Sequence, residues 1–203
     1  MVMASSSLST GITVGAPATK MVRKGKVKTI WLDLGEFSTD DDLAELFRKW
    51  WTDDDNVPVP FTLDHLIRIR NIAAQTVEAC YARWAVTFTR NASNLDRSLP
   101  HRVVNFTRNW GYTDYKDATG FYPGLGDTVY VYYDEVADQL PDAIPNVEQA
   151  IQEIGAFMGN TAAHELAHSF GNWGHENLPE ADWEPLTWSY GALVNITKYL
   201  ELK

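Results

Sequence analysis

The chain has 203 residues, with 27 acidic and 17 basic side chains and a formal charge of −10. That balance repels phosphate backbones and disfavours a nucleic-acid partner. Apolar residues make up 45% and aromatic residues 12%, enough to bury a core and too much for a disordered chain, and the length suits one domain or one domain plus a tail.

Residues 1–26 are rich in Ser, Gly, Ala and Thr and are expected to be a flexible tail. They lack the basic start and apolar block of a signal peptide. The cluster Lys20, Arg23, Lys24, Lys26 and Lys28 is read as solvated tail. Alternation in 27–37 predicts a strand. Residues 38–51 predict a short helix, capped by Ser38 or Thr39 and with Asp40 to Asp42 at the positive end of its dipole. TDDDN, 52–56, has carboxylates that could hold calcium, but its spacing matches no EF-hand and a solvated acidic turn is the favoured reading.

Leu63, Leu66, Ile67, Ile69, Ile72, Ala73 and Val77 form a helical stripe, which predicts the first long helix over 61–84. The one cysteine, Cys80, falls on it as a buried thiol and leaves no intrachain disulfide to make. Strands are predicted at 85–90 and 101–109, separated by a turn-rich loop. Residues 110–127 read as an irregular loop with a short extended piece around Gly120–Tyr122. The β-branched and aromatic run 128–136 predicts a further strand. A second long helix runs from Asn146 or Val147 to Gly171, and a short one closes the chain over 191–203. No apolar run reaches the ~18 residues of a membrane span. This order predicts an α/β (α+β) domain over 27–203, with a mixed, mostly parallel twisted sheet and two long helices. Sequons begin at Asn91, Asn105 and Asn195.

The chemistry concentrates in HELAHSFGNWGHE, 164–176. His164 and His168 are four apart, so a helix puts both rings on one face, where both can reach one ion. Glu165 follows directly and can meet a water at that ion as general base. Gly171 can adopt a left-handed conformation, end the helix and return the chain toward the same ion. His175 is then the expected third ligand, with Glu176, Glu180 and Asp182 as alternatives.

These residues resemble the H-E-x-x-H-x-x-G-x-x-H/D signature of the metzincin clan of zinc endopeptidases. The match runs through His164, Glu165, His168 and Gly171. Gly174 stands where the clan has its third histidine, and His175 comes one residue later. LTWSYGA, 186–192, is similar to the clan's methionine turn, with Trp188 in place of the methionine. The resemblance implies one catalytic Zn2+ on His164, His168 and His175. It implies Trp188 as an apolar floor and Tyr190 as a hydrogen-bond donor to an oxyanion. It further implies a protein or peptide substrate lying along an edge strand near Gly120 to Gly126, and a secreted or extracellular setting. Two rivals remain: a hydrolase whose third ligand is a glutamate on a following helix, and a non-catalytic binding protein that keeps the fold. Oligomeric state is not legible.

Overall fold

A computed structural model describes residues 25–34, 61–108, 118–124, 126–139, 146–172 and 186–203. The helix expected at 38–51, the acidic turn at 52–56, and His175, Glu176, Glu180 and Asp182 lie outside the described residues.

Five strands form one mixed sheet: β1 (Thr29–Asp33), β2 (Thr87–Thr89), β3 (His101–Thr107), β4 (Gly120–Phe121) and β5 (Thr128–Tyr132). The strand order is β2-β1-β3-β5-β4. All neighbours are parallel except β4, which lies antiparallel to β5 at the edge, Phe121 opposite Tyr130. Ile30 and Leu32 of β1, Val104 and Phe106 of β3, and Val129 and Val131 of β5 are fully buried. Each such side chain contributes about 1.5–3 kcal/mol by leaving water.

Four α-helices are described: α1 (Leu63–Cys80), α2 (Tyr133–Gln139), α3 (Val147–Ser169) and α4 (Tyr190–Tyr199). Thr62 starts α1 in a capping box in which its hydroxyl accepts from the His65 N–H and the His65 ring accepts from the Thr62 N–H. Asn146 caps α3 through the Gln149 N–H at 2.8 Å, and Ser189 caps α4 through the Ala192 N–H at 3.1 Å. α1 and α3 pack closely. A Cβ added to Gly155 would come 2.7 Å from Ile72, and one added to Gly159 would come 2.5 Å from Thr76 and 2.6 Å from the Ala73 carbonyl oxygen. The buried Tyr81 hydroxyl donates to the Ala163 carbonyl at 2.9 Å, which ties the end of α1 to α3 beside His164.

Several boundaries differ from expectation. The strand expected over 128–136 stops at Tyr132 and turns directly into α2. Tyr133 and Val136 are buried at helical spacing, and Asp134 and Glu135 occupy the first turn, where the helix dipole favours them. α1 ends at Cys80, because Trp84 pairs with Leu202 in an antiparallel bridge. The same pairing ends the last helix at Tyr199, with Leu200 extended. Lys26, expected in the solvated tail, is held against the domain: its ammonium donates to the Thr197 and Leu200 carbonyls, which fits a cation at the C-terminus of α4.

Candidate metal centre

His164, Glu165 and His168 occupy the last two turns of α3 and are 6%, 8% and 9% exposed. The two Nε2 atoms are 3.0 Å apart, and the rings meet edge to face at 4.7 Å between centroids. Two nitrogens bound tetrahedrally at ~2.0 Å to one ion stand ~3.3 Å apart, so the pair needs only a small outward movement to receive one. Nδ1 of His168 meets the Asn172 carbonyl. A carbonyl only accepts, so this nitrogen carries the proton and Nε2 presents its lone pair, as a metal ligand requires. One donor atom from each of His164, Glu165 and His168 fits within 4.8 Å of the others. These groups could hold a metal ion, with two ligands from the pair and a carboxylate beside them.

The end of α3 is built to hold this arrangement. Gly171 has φ +84°, its N–H bonds the His168 carbonyl at 2.9 Å, and the Asn172 N–H bonds the Ala167 carbonyl at 3.2 Å. These are the two bonds of a Schellman stop, and they deliver the Asn172 carbonyl to His168. The Arg102 side chain, 12% exposed, covers the helix end from β3. Its guanidinium donates to the Ser169 carbonyl and hydroxyl, each at 3.2 Å, and lies over the Phe170 ring. Burial pulls its pKa down and Asp127 offsets part of that.

Glu165 lies under the edge strand. Its carboxylate accepts a hydrogen bond from the Tyr122 backbone N–H, and burial pushes its pKa up to about 8. Gly120 allows the strand to come so near: a Cβ there would stand 2.6 Å from Glu165 Cγ and 2.9 Å from Thr161 Cγ2. Thr161 Oγ1, one turn before Glu165, is buried with no hydrogen-bond partner among the described residues. A carboxylate in so dry a setting can keep or surrender a proton near neutrality and sits beside the two imidazoles.

Comparison with family models, with curated proteins and with solved structures finds no match. The site therefore stands on its own geometry.

The other expected residues fall as follows. Trp188 packs on the core, its ring 5.5 Å from Tyr81 and its indole N–H donating to the Cys80 carbonyl at 2.9 Å. It touches α1 and reaches the histidine helix through Tyr81. Tyr190 is the first residue of α4 and 83% exposed. His175 is outside the described residues. Sequence reasoning missed Asn172 and Arg102 as parts of the site, and it expected the stretch from Gly120 to Gly126 as a substrate edge without foreseeing that Gly120 and Tyr122 meet Glu165. Asn172 had a signal, since it follows the helix-stopping glycine. Arg102 had none, because its contact comes from a remote strand.

Proposed function

We propose that the chain is a zinc-dependent endopeptidase of metzincin-like architecture, acting on protein or peptide substrates in a secreted or extracellular setting. One observation carries the proposal: the 3.0 Å convergence of His164 and His168 Nε2, with the second ring oriented by a carbonyl and Glu165 buried beside the pair. His164 and His168 would hold the ion, with His175 as the proposed third ligand. Zinc, when bound, supplies Lewis acidity that polarises a carbonyl and lowers the pKa of a water to about 7. Glu165 takes the proton from the attacking water and passes it to the leaving amine. The Tyr122 N–H holds that carboxylate in place. Trp188 backs the site through Tyr81, Tyr190 is the proposed hydrogen-bond donor to an oxyanion, and β4, the last strand of the described sheet, is the proposed element that pairs with extended substrate.

A second reading, a non-catalytic metal- or protein-binding domain, is favoured by the 83% exposure of Tyr190. Metal analysis and cleavage of an unfolded protein separate the two. The wild type is expected to hold about one zinc per chain, and to melt at higher temperature as zinc is added. His168→Ala is expected to lose the metal. Glu165→Gln is expected to keep it and lose about 10²–10⁴-fold in cleavage. Zinc uptake by His168→Ala equal to wild type would overturn the metal site. Wild-type zinc binding with no cleavage that Glu165→Gln abolishes would favour the second reading.

A further inference from the structure

α4 lies outside the histidine helix, yet one of its side chains holds the side chain of Asn172, the residue whose backbone carbonyl orients His168. The Asn195 Nδ2 donates to the Asn172 Oδ1 at 3.0 Å. The Asn172 Nδ2 donates in turn to the Ala167 carbonyl at 3.0 Å, and its backbone N–H bonds the same oxygen at 3.2 Å. Asn172 is 3% exposed, and its own carbonyl accepts from His168 Nδ1.

The direction of this chain of bonds is fixed at both ends. Lys198 Nζ meets Asn195 Oδ1 at 2.7 Å, and an ammonium can only donate, so the atom facing it is oxygen and the atom facing Asn172 is nitrogen. At the far end a backbone carbonyl can only accept, so Asn172 turns its nitrogen to Ala167 and its oxygen to Asn195. Both amide orientations follow without choice. The polarity runs from Lys198 through Asn195 and Asn172 to the last turn of α3.

We propose that Asn195 is a positioning residue for the metal centre. By holding the Asn172 side chain it sets the carbonyl that keeps the proton on His168 Nδ1 and the lone pair on Nε2. The inference rests on the metal reading of His164 and His168 for its effect on binding, while its effect on the His168 ring stands without metal. Partners that orient a ligating imidazole typically change metal affinity 10–100-fold when removed.

Asn195→Asp tests this with the least change of shape, since it places an acceptor against the Asn172 oxygen. Asn195→Ala removes the contact, and Val194→Ala, exposed on the same helix, serves as control. Two measurements are made on the full chain: nitrogen chemical shifts of the His168 imidazole without metal, and zinc affinity by competition with a chelator. Wild type and Val194→Ala are expected to show a single Nδ1-protonated tautomer. Both Asn195 variants are expected to show mixed tautomers and zinc binding weakened by about tenfold. A role confined to fold stability would lower the melting temperature and move neither readout. Unchanged tautomer and affinity in both variants overturn the proposal. If the wild type takes up no zinc, the metal reading falls, and the tautomer measurement alone decides the role of Asn195.

Discussion

At Gly120 the missing side chain is the function of the residue. An added methyl would stand 2.6 Å from Glu165 Cγ and 3.0 Å from its Oε1, so the carboxylate would have to leave the Tyr122 N–H. Gly120→Ala is expected to keep zinc and lose about 10²-fold in cleavage, because a displacement near 1 Å at a reacting group costs about that much. Cleavage rate and metal content on the same preparation check it, and wild-type cleavage would show that Glu165 does not depend on the strand. Cys80 offers a separate test of burial. Its thiol is pushed up to about 11 by desolvation, above its ordinary value of 9.0. The thiolate is therefore scarce in the folded chain at about pH 8 and grows as pH rises toward about 11. Alkylation of the native chain is expected to be slow at about pH 8 and to accelerate through that range, while the denatured chain reacts readily at about pH 8.5. Cys80 is half-buried, less covered than the sequence predicts, and equal native and denatured rates at the lower pH would contradict even that shielding.

Among elements, the α1–α3 contact decides how firmly the histidine helix is seated. Gly159 faces the Ala73 carbonyl, and a Cβ would come within 2.6 Å of that oxygen. Alanine favours a helix over glycine by about 1 kcal/mol. Here the clash with backbone outweighs that gain, because a carbonyl in α1 cannot rotate away. Gly159→Ala is expected to destabilise the chain by about 1–3 kcal/mol, read as a lower urea midpoint with unchanged slope. The existence of both long helices was legible, since the apolar stripe from Leu66 to Val77 and the apolar body of 147–169 have helical period. That Gly155 and Gly159 form the contact was not legible, because glycine carries no side chain to mark a face. The break between β5 and α2 was hidden for a related reason: Tyr133 and Val136 suit a strand as well as a helix until their burial is known.

Over the whole molecule, the last residues close the domain. The Ala85 N–H bonds the Glu201 carbonyl at 2.6 Å, the Lys203 N–H bonds the Arg83 carbonyl at 3.1 Å, and the Val27 N–H bonds the Tyr199 carbonyl at 2.8 Å. These bonds gather the start of the sheet, the end of α1 and the end of α4. Trp84, fully buried, packs at the same junction and donates to Thr197 Oγ1. Deleting residues 201–203 removes the first two bonds and the bridge to Trp84. It is expected to cost about 1–3 kcal/mol and lower the melting temperature by several degrees. An unchanged melting temperature would show that the closure adds nothing.

The sequence by itself determined the elements that local period and capping can encode: two long helices, the places of the main strands, and a histidine pair one turn apart with a glycine stop behind it. Those features depend on neighbours within a few residues, so they are written locally. The tertiary structure decided which nitrogen of His168 is protonated, that Glu165 lies under β4, and that Arg102 and Asn195 reach the histidine helix from other elements. The partner of His168 is only four residues on, but its placement follows from how the chain turns after the helix; the other contacts join residues 23 to 67 apart in the chain, and no local pattern announces a partner at that distance.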